Sequence, residues 1–259
     1  MRFIVLFLSL ISFHTNALEL KIISYNLGTG LLKSNKKALE KINEVIDYYQ
    51  ADIHLYQNSF NRSVEILKTN PSHPYFNYDI KEKKKTSNVI TTTYPIINEK
   101  YESYNKYCNI WKTYGISSFE LKLPNDKKLL VYNTSIPRKE KWLWHYIADM
   151  ERVIKRSALD KQFILSVEFN RDINQETLNS LKMRLNLTDI VKRYIDDNDL
   201  DELPYRTGID KKRKVRTNYL FLGNTKETTK ILDSYPVFNG EHDENRYLKD
   251  AGILYHIDI

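Results

Sequence analysis

The feature that most constrains this chain is a series of short β-type runs that each end in a polar cluster. In order, the clusters are Ser24-Tyr25-Asn26, Leu55-Tyr56-Gln57-Asn58, Tyr132-Asn133-Thr134-Ser135, Ser166-Val167-Glu168-Phe169-Asn170, Thr217-Asn218-Tyr219 and Lys249-Asp250-Ala251. The runs predicted as strands are Leu20–Tyr25, Ile53–Tyr56, Asn88–Thr92, Ile116–Leu121, Leu129–Asn133, Phe163–Val167, Tyr219–Leu222 and Ile253–Ile257. Helical spacing is seen in Lys36–Tyr49, Trp142–Ile154 and Leu178–Leu185. Many short strands with few helices between them predict two packed sheets with helices on the outer faces. Periodicity alone stops at α/β or α+β.

The order and spacing of the six clusters resemble the endonuclease/exonuclease/phosphatase family, the deoxyribonuclease-I-like group. The resemblance covers Leu20 to Ile257 and implies a four-layer sandwich, two packed mixed β-sheets flanked by helices. It also implies a site for metal-dependent phosphodiester hydrolysis. There carboxylates hold a divalent ion, an Asp aligns water, and a His oriented by an Asp completes the donor set.

The later motifs of that family usually read QE, NTH, GDFN, IDY and SDH, and this chain departs from all of them. Asn26 keeps the phosphate-contacting Asn, with a strand-end cap before Gly28-Thr29-Gly30 as its structural alternative. Asn58 stands at the metal-binding Glu, offering one neutral oxygen in place of a carboxylate. Ser135 stands at the first catalytic His and cannot titrate near neutral pH. Glu168 keeps a carboxylate at the catalytic Asp and metal position on an arm one methylene longer. A misplacement of roughly 1 Å can cost about a hundredfold in rate. Asn170 is retained as a phosphate-binding and catalytic residue, with Val167 in place of Gly. Asn218 replaces the Asp that orients the final His, and Lys249-Asp250-Ala251 retains Asp250 but has Ala251 at that His. Among other histidines, His54 lies within a strand, His145 on a helix and His256 in the last strand. Only His242, in the loop before Asp250, is placed to substitute.

The N-terminus, Met1-Arg2 followed by an apolar run and Thr15-Asn16-Ala17, has the pattern of a signal peptide over residues 1–17. A single domain is expected over 18–259, exported to a periplasmic or secreted destination. The run is too short to span a bilayer, and no later segment is long and apolar enough. The lone Cys108 excludes an internal disulfide. Loss of Arg2 lowers the formal charge from +7 to +6, which favours anionic partners: nucleic acid, a phospholipid headgroup or another phosphate ester. Lys211, Lys212, Arg213, Lys214 and Arg216 form a candidate anion-binding rim just before Asn218. Lys81–Lys85 reads as a solvated loop, and Tyr94–Tyr114 as a longer irregular segment with stacking surfaces. The leading expectation is a degenerate site that acts by binding an anion or a protein partner, with no cofactor. The alternative is a divergent hydrolase using Mg or Mn with Asn26, Glu168, Asn170 and Asp250.

Overall fold

The computed structural model describes residues 18–27, 44, 47–59, 70–78, 87–104, 114–138, 140–206, 208–210, 213–237 and 252–259. Residues 1–17, most of Lys36–Tyr49, Lys81–Lys85, Cys108, Lys211, Lys212, His242, Asp250 and Ala251 fall outside them.

Two six-stranded mixed sheets form the centre. The first contains β1 (Glu19–Asn26), β2 (Ile53–Ser59), β3 (Tyr75–Tyr78), β4 (Ser87–Thr92), β13 (Lys230–Val237) and β14 (Gly252–Asp258), in the order β13-β14-β1-β2-β4-β3. The second contains β5 (Ile96–Ser103), β6 (Gly115–Lys122), β7 (Lys128–Ser135), β8 (Phe163–Glu168), β9 (Leu187–Asp189) and β12 (Asn218–Gly223), in the order β5-β6-β7-β8-β12-β9. A separate hairpin pairs β10 (Gly208–Asp210) with β11 (Arg213–Val215). Helices α1 (Leu143–Ala158), α2 (Gln175–Leu185) and α3 (Ile190–Asn198) pack around the sheets, with short helical turns at 47–49, Pro124–Asp126, Glu140–Trp142 and Leu203–Tyr205.

The layers follow from two periodicities. Alternate residues of a strand face opposite sides. Thus Leu20, Ile22, Leu55, Val131, Ile164, Leu220 and Leu222 fill the space between the sheets. Their neighbours Tyr132, Leu165, Val167, Tyr219 and Phe221 turn the other way, against Ile147 and Met150 of α1 and Leu178 and Leu181 of α2. Leu143, Ile147, Met150 and Ile154 recur at steps of three and four, giving α1 one buried stripe. Asn174 caps α2 by accepting from the Thr177 amide at 2.8 Å, and Asp189 caps α3 through Lys192 at 3.2 Å. No helix among the described residues is long and apolar enough to cross a membrane.

The predicted strands all form. Helix α1 starts and ends slightly later than its periodicity indicates, and α2 starts earlier, at its Asn cap. The expectation of an irregular Tyr94–Tyr114 is corrected in part: Ile96–Ser103 is the strand β5, with one register shift against β6 between Ile96 and Asn98. It lies at the edge of its sheet with most side chains in solvent, so it carries no apolar alternation to betray it.

Candidate active site at the strand ends

Between the sheets, the inward positions change from apolar to polar toward one end. On β1 the inward series is Ile22, Ser24, Asn26; on β7 it is Val131, Asn133, Ser135; on β8 it is Ile164, Ser166, Glu168. β1, β2, β7 and β8 run parallel within their pairs, which brings these ends together. Gln57 and Asn58 are consecutive, and a regular strand would turn them to opposite faces. The register of β2 against β4 shifts after Tyr56, and Asn58 takes φ 55°, so both amides enter the site. Asn170 has φ 56° just beyond β8. Asn tolerates this left-handed region better than most residues.

The deeper layer is a neutral network. Gln57 Nε2 lies 2.8 Å from both Asn133 Oδ1 and Ser166 Oγ, and the Ser24 and Ser166 hydroxyls are 2.7 Å apart. Asn133 Nδ2 donates to the backbone carbonyls of Tyr56 and Val89, tying one sheet to the other. Such groups are affordable in a core only because they satisfy one another.

The outer layer closes on itself. Asn58 Nδ2 donates to Asn170 Oδ1 at 3.3 Å, Asn170 Nδ2 donates to Ser135 Oγ at 2.7 Å, and Ser135 Oγ donates to Asn58 Oδ1 at 3.0 Å. These bonds form a ring with one sense of donation. The second Asn58 amide hydrogen goes to Asn26 Oδ1 at 2.8 Å, and the second of Asn170 to the Ile136 carbonyl at 2.9 Å. Both amides and the serine hydroxyl have therefore used every hydrogen they carry. Glu168 is 1% exposed; its Oε1 accepts from the Asn170 amide N–H at 2.8 Å, and Asn218 Nδ2 lies 3.5 Å from Oε2. Asn218 also donates to Gln57 Oε1 at 3.1 Å.

The structure thus brings together Asn26, Asn58, Ser135, Glu168, Asn170 and Asn218, whereas Asp250 and Ala251 lie outside the described residues. Ser24, Asn133 and Ser166 join them; their period-two spacing ahead of the end residues was the available signal. A hard dication does not fit the described set. Such an ion takes oxygen ligands, usually carboxylates, and Glu168 is the single carboxylate among the described residues named in this cluster. Asn58 turns one oxygen to Ser135 and two N–H groups to its neighbours.

Arg216 is corrected as a rim residue. It is 6% exposed, forms paired hydrogen bonds to Asp189 at 2.9 and 2.8 Å, and stacks 4.2 Å above the Tyr219 ring. Burial disfavours its charge, but Asp189, Tyr219 and Tyr255 together outweigh this and raise the guanidinium pKa further. Arg213 and Lys214 belong to β11. Beside that hairpin lies a groove of about 570 Å³ whose lining includes Lys182, Arg206, Glu202, Asp172, Tyr219 and the Arg216–Asp189 pair. Of the other histidines, His256 lies 3.1 Å from Glu19 and His145 faces the Trp142 ring, so neither joins the site. His54 and a residue the sequence reading missed, His73, form a separate cluster.

No family model matches the sequence, and no curated protein matches it. Solved structures do. D. rerio TDP2 complexed with single strand DNA product superposes with a TM-score of 0.75 at 12% identity, covering 93% of this chain and 99% of that one. An endonuclease/exonuclease/phosphatase from Bacteroides vulgatus gives 0.70 at 10% identity, with 93% and 99% covered. A family protein from Leptotrichia buccalis C-1013-b gives 0.70 at 16% identity, with 93% and 100% covered. The chain has the endonuclease/exonuclease/phosphatase, or deoxyribonuclease-I-like, fold. The resemblance carried by the strand-end clusters is borne out at that level.

Proposed function

We propose that this chain is an exported protein of the nuclease-type fold that acts by binding a phosphate-bearing ligand, without metal-dependent hydrolysis. The observation that carries the reading is the closed Asn58–Asn170–Ser135 ring, in which an amide stands at the cation position and its hydrogens are committed to neighbours. A phosphate entering there would have to displace those bonds, so we assign ligand binding to the hairpin of β10 and β11 and the adjoining groove. The basic sequence from Lys211 to Lys214 supports that assignment, as do Lys182 and Arg206 in the groove lining. Single-stranded DNA is the first ligand to test, given the complex recorded for D. rerio TDP2. Export rests on the N-terminal sequence pattern.

A second reading has one observation in its favour. Glu168 keeps a carboxylate at the catalytic position, aligned by the Asn170 amide and Asn218. Hydrolysis of a chromogenic phosphodiester, plasmid DNA, sphingomyelin and a phosphoinositide separates the two readings, run with magnesium or manganese and with chelator. The binding reading expects no turnover from the wild type, with single-stranded DNA bound more weakly as salt rises. Turnover abolished by both chelator and Glu168→Ala would establish the hydrolase instead.

A further inference from the structure

The opposite face of β2 carries a second buried polar cluster that phosphodiester chemistry does not use. His54 is 1% exposed, and His73, from the turn preceding β3, is 5% exposed. Their rings meet at a tilt of 39°, with centroids 4.1 Å apart. His73 is anchored at both nitrogens. Nε2 faces the Ala51 carbonyl at 2.7 Å and must donate, so in the neutral ring Nδ1 accepts from the Thr91 hydroxyl at 2.8 Å. His54 Nδ1 lies 3.3 Å from the Tyr56 hydroxyl and 3.5 Å from Thr91 Oγ1. His54 Nε2 is buried without a hydrogen-bond partner among the described residues.

Burial, then the neighbouring ring, lowers the His54 pKa well below the ordinary imidazole value. Burial also lowers that of His73, opposed by the Ala51 carbonyl and by Asp47 and Asp52. Among the described residues, those carboxylates are the charged groups that act on His73, from the helical turn at 47–49 and the residue before β2. Lys21 on β1 and His256 on β14 act on Asp52. β3 and β4 contribute no charge, their sequences being YFNY and SNVITT.

We propose that the His54–His73 pair is an acid-responsive latch on the first sheet, whose protonation frees the turn Asn70–Pro74 and loosens β3 from β4. A proton on His54 creates a buried cation whose second N–H has no described acceptor. A proton on His73 turns Nδ1 into a donor and forces Thr91 to reverse its hydroxyl. Two rings with centroids 4.1 Å apart cannot both charge without strong repulsion. The two partners differ in their means of escape. His54 is held in a strand paired on both sides, by β1 and β4. His73 sits in a turn whose Pro71, Ser72 and Pro74 are exposed, tied down by Asn70 and Ser72 hydrogen bonds to Asp47. β3 begins at Tyr75 and, among the described residues, pairs only with β4, so release of His73 is transmitted to it directly.

Hydrogen exchange on the full chain between pH 7.5 and 5, corrected for intrinsic exchange, tests this. Protection over residues 70–78 and 87–92 should fall about tenfold more than that of β7 and β8. His73→Gln, which keeps a donor and an acceptor on the turn, should remove the excess. Equal loss in both sheets, or an excess that survives His73→Gln, overturns the latch. Should that variant fail to fold, imidazole NMR of the wild type decides. Protonation of the pair coincident with loss of β3 protection supports the latch, and protonation with protection retained refutes it.

Discussion

The two faces of β2 solve the same problem with different chemistry. Toward the second sheet, Gln57 and Asn58 enter a network of amides, hydroxyls and one carboxylate in which the Asn58–Asn170–Ser135 ring spends all its donors. Away from it, His54 enters a cluster of two imidazoles and leaves one nitrogen without a partner among the described residues. Both are buried and polar. The ring members carry no group that titrates in the acid range, whereas the imidazoles take up protons as pH falls. The ring should therefore be rigid and indifferent to pH, and the outer cluster should report it.

The largest effect is expected from Asn58→Ala. It strands the Ser135 hydroxyl and two carbonyl acceptors and puts alanine in a left-handed conformation, costing about 3–5 kcal/mol in urea unfolding. A loss under about 1 kcal/mol would mean the ring contributes little. Next, Asn58→Ala and Ser135→Ala should be non-additive, with a coupling of about 1 kcal/mol, because each removes the other's partner. Additive losses would show two independent sites.

The pH comparison comes third. An imidazole whose folded pKa lies below its unfolded value of about 6.5 binds more protons when unfolded. Its contribution is complete above that value and is lost as pH falls below it, until the folded form also titrates. Burial raises the Asp52 pKa from its carboxylate value, so that group has the opposite sign, in a lower pH window. Wild-type stability should decline from pH 7 to 5, and His54→Phe combined with His73→Gln should flatten the decline; an unchanged slope would assign it elsewhere. The smallest effect belongs to His256→Gln. Its partly exposed contact with Glu19 is worth no more than about 0.5 kcal/mol, and a larger loss in thermal unfolding would count against this surface assignment.

The inner face was far more legible in the sequence than the outer one. Asn26, Gln57-Asn58, Ser135, Glu168 and Asn170 stand at the ends of apolar runs, and the family resemblance carried by those strand-end clusters located the site. The left-handed bulge that turns Asn58 inward has no counterpart in periodicity, because it depends on the pairing of β2 with β4. His73 was invisible for a related reason: it lies in a Pro-flanked turn, and only the fold brings its ring against His54. Arg216 misled because a basic run looks the same whether its members face water or, as here, a buried Asp189.

The position of β14 has a consequence for how the chain is made. β1 is central in the first sheet, yet one of its two neighbours is the last strand in the sequence, and Leu18 and Ile259 close that pair with mutual backbone hydrogen bonds. Contacts between such distant segments must overcome a large loop-closure entropy before they contribute, which makes folding slow. The first sheet has no complete centre until its final strand has emerged from the ribosome. For the export proposed above, that delay would keep the chain extended long enough to be threaded across a membrane.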